Sequence, residues 1–194
     1  MDVEAVLRGS GGLLQGHFLL SSGRHADRYL QLAAPFQEPP VAAALAAALA
    51  ERVGAAGLRP RAVLGPALGA IIPGYELARA LGVRSVFCER GEDGAFALRR
   101  GFAFAAGEPV LVCENTQTTG GSALEAVALA RRAGAEVVGV AVYCDRIPVP
   151  AGVFDVPYLA LARFALPSWP AADCPLCRAG SVAVKPGSRP QPEG

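Results

Sequence analysis

Lysine is almost absent from this chain. Lys185 is the only one in 194 residues, so arginine supplies seventeen of the eighteen basic groups. Arginine grips phosphate and carboxylate bidentately but does not exchange its proton near neutral pH. Any cation acting before residue 185 is therefore restricted to binding and charge stabilisation, and a lysine base or Schiff base is excluded there. Charge of every kind is scarce, at 18% of residues with a net charge of +1. That balance gives no reason to expect a nucleic-acid or membrane partner. Long apolar runs are missing too. Residues 41–50 form the longest, ten residues of mostly alanine, too short to span a bilayer. The opening MDVEAVLRGS lacks a basic start followed by an apolar core, so no signal peptide is expected and the expected compartment is the cytoplasm.

Cysteine is present but in an odd number, five. Cys88, Cys113 and Cys144 fall at or near the ends of predicted strands, where a thiol serves as a small buried hydrophobe. Cys174 and Cys177 make one C-P-L-C. A four-ligand zinc site needs two more ligands, and the two histidines, His17 and His25, lie far away in sequence. The expectation is a capped turn with two ordinary thiols and no metal held by protein side chains, with a local disulfide and a zinc site as the alternatives.

Hydrophobic residues make up 52% of the chain, enough for one domain with a real core at this length. The organising stretch is 109–122, PVLVCENTQTTGGS. Residues 109–113 read as a strand buried on both faces of a parallel sheet, with Glu114 at its end. Thr116, Gln117, Thr118, Thr119, Gly120, Gly121 and Ser122 form a hydroxyl-rich turn before an alanine-rich helix that stops near Gly134. Glycine lets backbone N–H groups approach a ligand, the hydroxyls donate further bonds, and the helix dipole favours negative charge. Phosphate is the expected guest. The loop lacks the lysine of a nucleotide-triphosphate P-loop and the G-x-G-x-x-G of a dinucleotide site.

Other segments alternate strand and helix. A short helix in 2–15 precedes a hairpin-like unit, with strands at 18–20 and 29–31 around Ser21-Ser22-Gly23. Pro39-Pro40 opens a helix over 41–56. A strand at 62–64 then runs into a glycine loop, GPALGA, and a helix over 71–81, a second possible anion corner. A strand at 85–88 leads into ERGEDGAFALRRGF (89–102), whose charges and glycines suggest a mobile β-excursion. The strand 136–144 ends in Asp145-Arg146, where open α/β sheets place functional residues. Residues 158–164 read as an edge strand, and proline, glycine and serine dominate from Leu166 onward.

The 109–122 stretch resembles the phosphoribosyl diphosphate loop of type I phosphoribosyltransferases. FLLSSGR, the 89–102 excursion, Arg146 and the LPSWPAADCPLCRAG…VKPGSR ending resemble orotate phosphoribosyltransferases, in a thermophile-rich bacterial and archaeal branch, over roughly 16–189. The resemblance implies an α/β fold, a parallel sheet flanked by helices, with a small N-terminal hood. One domain fills 1–194: a hood of about 1–38 plus the C-terminal segment, a core of about 40–165, and a flexible tail of about 183–194.

It also implies the transfer of phosphoribose from 5-phosphoribosyl 1-diphosphate to orotate, giving orotidine 5′-monophosphate and pyrophosphate. Glu114 would face the ribose hydroxyls and Thr118, Thr119, Gly120, Gly121 and Ser122 the 5′-phosphate, with Asn115, Thr116 and Gln117 also meeting phosphoribosyl diphosphate. Arg90, Arg99 and Arg100 would clamp pyrophosphate, with Arg99, Arg100 and Glu114 serving catalysis. Ser22, Gly23, Thr118 and Arg146 would meet orotate, Arg146 at its carboxylate. Mg²⁺ would come mainly on the diphosphate, and the chain would pair as a homodimer. Two departures stand out: the family's second acid is Asn115 here, and its loop lysine has no counterpart. A purine-type phosphoribosyltransferase and a non-catalytic phosphoribosyl diphosphate sensor stay open as alternatives.

Overall fold

A computed structural model describes residues 1–146, 150 and 152–186; the last eight positions of the expected tail lie outside the described residues. Helix α1 (Val3–Gly9) is followed by strands β1 (Leu13–Leu19) and β2 (His25–Leu30), the one-turn α2 (Ala33–Phe36) and the long α3 (Pro39–Ala55). Then come β3 (Ala62–Pro66), α4 (Ile71–Leu81), β4 (Arg84–Arg90), β5 (Phe96–Leu98), β6 (Pro109–Gln117), α5 (Gly121–Arg132), β7 (Glu136–Asp145) and β8 (Tyr158–Arg163). The two-residue β9 (Ser168–Trp169) and α6 (Pro175–Arg178) complete the described chain.

Six strands form the main sheet in the order β5-β4-β3-β6-β7-β8. All neighbours are parallel except β5, which folds back antiparallel on β4. The sheet is thus mixed at one edge and parallel elsewhere. Side chains alternate across it, as strand geometry requires. Val63, Leu111, Cys113, Ala141 and Tyr143 join the cluster under α1, α3 and α4. Ala62, Leu64, Val110, Val112, Val140 and Val142 join the cluster under α5. Both faces are covered, which explains why these strands read as unbroken apolar runs. Proline opens α3, and its buried face of Ala42, Leu45, Ala46, Leu49 and Val53 follows helical spacing. Helix α4 ends at Gly82 in the left-handed region, φ 68.

The hood is a second, three-stranded sheet, β1-β2-β9. Helix α1 is shorter than the 2–15 expectation because the chain turns at Gly11 and Gly12. Gly11 has φ 72, and a Cβ on Gly12 would sit 3.0 Å from both Leu7 and Pro35. Strand β1 therefore starts at Leu13, and it pairs with β2 from Leu13↔Leu30 to Leu19↔His25, with an irregularity between Gln15 and Phe18. That irregularity breaks period-two alternation, which is why only 18–20 was legible as strand. The C-terminal segment returns to complete the hood. The Val184 N–H donates to the His17 carbonyl at 2.8 Å and the Leu19 N–H to the Val184 carbonyl at 2.8 Å, so Val184 is bonded to the hood. No described helix is long and apolar enough to cross a membrane.

Candidate active site

Strand order reverses direction between β3 and β6: the chain moves outward one way through β4 and the other way through β7 and β8. Open α/β sheets gather ligands outside the carboxyl ends of their strands at such a switch point. The register defines the opening. Strand β3 pairs with β6 only as far as Leu64↔Val112, whereas β6 continues beside β7 to Gln117↔Asp145. Glu114 to Gln117 are thus part of an extended strand, not of the turn, with one edge released from β3. A turn of Thr118, Thr119 and Gly120 follows. Gly120 caps α5 with φ 95, a conformation that favours glycine. Thr118, Thr119, Gly121 and Ser122 are exposed, so two threonine hydroxyls, a serine hydroxyl and the free N–H groups of the first turn of α5 face one place.

Glu114 is buried, 7% exposed. One carboxylate oxygen accepts the Asn115 N–H at 3.2 Å. Burial outweighs that bond and pushes the carboxyl up to about 7, since desolvation disfavours the charged form. Asn115 uses its side-chain oxygen to accept the Thr116 N–H at 2.6 Å. Its amide nitrogen packs against the loop after β3, 2.7 Å from where a Cβ on Gly69 would stand. Asn115 thereby joins the two loops. In the β3 loop the Ala67–Leu68 peptide is cis. Gln117 is buried, and among the described residues its amide nitrogen has no hydrogen-bond partner.

Between this corner and the hood lies a cavity of about 670 Å³, lined among others by Tyr29, Gln31, Phe36, Gly69, Ile72 and Asn115. Phe36 anchors its wall by packing edge-on against Tyr143 of β7, ring centroids 4.9 Å apart. Arg146 leans toward the hood, its guanidinium carbon 5.9 Å from the Tyr29 ring centre. The Arg146 N–H donates to the Gln117 carbonyl at 2.9 Å, tying the arginine to the end of β6. Its Nε is buried and, among the described residues, unpartnered. The adjacent acid does not neutralise it. Asp145 is fully buried and accepts bonds from the Tyr158 hydroxyl and from Arg163 Nε, the latter at 3.2 Å.

Other expected site residues are placed differently. Ser22 and Gly23 sit at the exposed tip of the β1–β2 hairpin and are not among the residues lining the cavity. Tyr29 and Gln31, farther along, reach it, as do residues of the following α2 such as Phe36. The excursion is a hairpin of β4 and β5, with Arg90 opposite Phe96. Arg90 pairs with Glu125 of α5 at 2.8 Å and Arg100 with Glu89 at 2.8 Å; Arg99 forms no ion pair among the described residues. A second cavity of about 540 Å³ opens at the opposite, amino ends of the strands, bordered by the Arg84–Glu108 pair. It lies away from both glycine loops.

A hard cation such as Mg²⁺ wants six oxygens. At the strand end the side chains offer one carboxylate, one amide oxygen already bonded, and hydroxyls. That set fits an ion carried in on an oxygen-rich ligand and does not make a protein cage.

Residues 35–148 match the family model for the phosphoribosyl transferase domain. The orotate phosphoribosyltransferase of Wolinella succinogenes is 47% identical over 201 residues, covering 97% of this chain and 98% of that protein. The protein of that name from Acidithiobacillus ferrooxidans is 47% identical over 190 residues, covering 97% and 96%. Among solved structures, the orotate phosphoribosyltransferase of Aeropyrum pernix superposes with a TM-score of 0.71 at 25% identity, covering 84% of this chain and 93% of that one.

Proposed function

This chain belongs to the orotate phosphoribosyltransferase family, and from that premise we propose that it transfers phosphoribose from 5-phosphoribosyl 1-diphosphate to orotate, releasing pyrophosphate. The observation that carries the reading is Arg146, a half-buried arginine whose Nε is buried and, among the described residues, unpartnered beside the hood tyrosine. Orotate is a flat, anionic base, and its carboxylate suits that arginine while its ring suits a cavity walled by Tyr29 and Phe36. The 5′-phosphate takes Thr118 to Ser122, the ribose hydroxyls take Glu114, and Thr118 also reaches the base. Mg²⁺, bound through the diphosphate, would neutralise charge on the leaving group. The chain's own part is to position the sugar, to exclude water and to hold a negative charge near the anomeric carbon as positive charge develops there. A cytoplasmic location and a homodimer belong to the same reading. Exposed Leu68, Ile72 and Tyr75 supply apolar surface for a second copy. The direct test is loss of orotate absorbance with phosphoribosyl diphosphate and Mg²⁺, with adenine, hypoxanthine, uracil and xanthine as controls. Turnover of one of those bases in place of orotate would overturn the assignment.

Glu114 makes the rate depend on pH. It must be ionised to accept ribose hydroxyls at both oxygens and to hold negative charge near the anomeric carbon, and its carboxyl is pushed up to about 7 in the free chain. The kcat/KM for phosphoribosyl diphosphate should therefore fall on the acid side with an apparent pKa near that value, and Glu114→Gln should flatten this limb. For stability the sign runs the same way as protonation. The group favours the fold fully below its unfolded pKa of about 4.3, and that contribution is lost as pH rises through about 7. A pH–rate profile that is flat from 6 to 8 in the parent chain would be the contrary result.

The β4–β5 hairpin supplies the pyrophosphate clamp. Its pairs Arg90–Glu125 and Arg100–Glu89 lie at the surface, where solvent screens ion pairs, so a diphosphate can displace either glutamate. Arg99→Ala and Arg100→Ala should each lower kcat more than they raise the KM for orotate. Phosphoribosyl diphosphate with Mg²⁺ should slow tryptic cleavage after these arginines. Unchanged cleavage at saturating ligand would count against closure.

A further inference from the structure

Four side chains that the sequence holds far apart converge inside the hood. His17 lies on β1, His25 opens β2, and Cys174 and Cys177 flank the start and body of α6. One ligand atom from each lies within 4.8 Å of the other three. Cys177 Sγ is 3.2 Å from His25 Nδ1, and His17 Nε2 is 3.5 Å from Cys174 Sγ and 3.7 Å from Cys177 Sγ. The two imidazole nitrogens stand 2.8 Å apart. Both histidines and Cys174 are buried, and Cys177 is half-buried.

The protonation pattern points inward. His17 Nδ1 is 3.1 Å from the Ser181 carbonyl oxygen, which can only accept, so the proton sits on Nδ1 and Nε2 turns a lone pair into the cluster. A backbone carbonyl that orients the far nitrogen of a histidine in this way is the usual outer partner of a metal-bound imidazole. The distances fit as well. With Zn–S of about 2.3 Å and Zn–N of about 2.0–2.1 Å, a tetrahedron has sulfur–nitrogen edges of about 3.6 Å and a nitrogen–nitrogen edge of about 3.3 Å. The three sulfur–nitrogen separations straddle the first value, and the imidazoles need to part by about half an ångström. Two thiolates with two imidazoles form a soft-to-borderline set that selects zinc over the hard Mg²⁺ of the reaction. Four protein ligands leave no open position, so the centre is structural.

We infer that His17, His25, Cys174 and Cys177 form a structural zinc site that locks the N-terminal hairpin of the hood to the C-terminal segment. This reverses the expectation of two ordinary thiols. The site ties β1 and β2 to α6, in a hood whose C-terminal strand β9 has two residues paired with β2. It thereby steadies the hairpin that carries Tyr29 and Gln31 to the cavity.

The test uses the full chain without a histidine tag, purified without chelator. Elemental analysis should find about one zinc per chain, the stoichiometry of a single closed site. Cobalt(II) added to the chelator-stripped chain should give visible ligand-field bands of tetrahedral intensity and a near-ultraviolet thiolate charge-transfer band, both erased by zinc. Stripping should lower the thermal midpoint, with recovery on zinc but not on Mg²⁺. Cys177→Ser, at the half-buried position, should fold and lose most of the charge-transfer intensity. A chain isolated without zinc whose stripped form gives no cobalt bands overturns the inference, as does a Cys174–Cys177 disulfide in the isolated protein.

Discussion

Replacing Arg146 with alanine is expected to cost the chain its use of orotate while sparing its grip on phosphoribosyl diphosphate. The arginine follows β7, and its backbone N–H is fixed to the Gln117 carbonyl at the end of β6, so the guanidinium is set relative to the phosphate loop. It is not spent internally. Asp145, the nearest acid in sequence, is committed to Tyr158 and Arg163, and Arg146 Nε is buried without a partner among the described residues. A buried donor left unsatisfied costs free energy, and a carboxylate arriving there removes that cost and adds a charge-assisted bond. Loss of a hydrogen bond to a charged group is worth about 1.5–3 kcal/mol. The expected result is a fall in kcat/KM for orotate of roughly ten- to a hundredfold, most of it in KM if the contact is made equally in ground and transition states. Calorimetric binding of phosphoribosyl diphosphate should be nearly unchanged. Asp145→Asn should act differently, by destabilising the chain through loss of the charge that the buried Asp145 presents to Tyr158 and to the exposed Arg163. Orotate kinetics in Arg146→Ala equal to the parent's would remove the carboxylate assignment, and a comparable loss of phosphoribosyl diphosphate binding would point to a phosphate role instead.

The core was legible because its physics is local. Strands buried on both faces write themselves as runs such as PVLVC and EVVGVAVYC, and α4 matches its expected bounds because Gly82 ends it. The corner after β6 was legible for the same reason: strand, hydroxyl-rich turn and helix N-terminus are consecutive in sequence. What could not be read depends on separation. The hairpin turn at Ser21 to Gly23 was legible, but the lengths of its strands were not, because the irregularity in β1 hides its start and β2 begins at His25. The cavity is therefore lined by Tyr29 and Gln31 and not by the turn. The pairing of Arg90 with Glu125 spans thirty-five residues, and nothing local marks it. The His17–Cys174 contact spans 157 residues. The two histidines were visible only as isolated side chains, since a ligand pair spread over two strands has no spacing rule comparable to C-x-x-C. The tertiary path through β9 and Val184 is what makes the four ligands neighbours.

Asn115→Asp is the substitution expected to raise activity, and the surroundings of Asn115 define the condition under which it does so. Asparagine keeps one acceptor oxygen but not the charge that could oppose positive charge developing on the ribose. Restoring one charged contact at the transition state is worth about 1.5–3 kcal/mol, or roughly ten- to a hundredfold in turnover. The acceptor role survives the change, because an aspartate oxygen can still take the Thr116 N–H now bonded at 2.6 Å. The amide nitrogen facing Gly69 becomes a second oxygen, which tolerates the neighbouring backbone only if an N–H, a substrate hydroxyl or water meets it. The new charge also stands next in sequence to Glu114, whose carboxyl already titrates at about 7 through burial. Two neighbouring carboxylates disfavour joint ionisation, so the acid limb of the variant should move to higher pH. The gain should therefore appear above about pH 8 and shrink or vanish at neutrality. Steady-state orotate turnover of both forms across that range, beside calorimetric binding of phosphoribosyl diphosphate, reads the outcome. A gain confined to alkaline pH supports an enzyme slowed by its asparagine. Tight binding of phosphoribosyl diphosphate with no turnover of orotate in either form would make the chain a sensor of that ligand, and absence of binding in both would sink the enzyme and the sensor together.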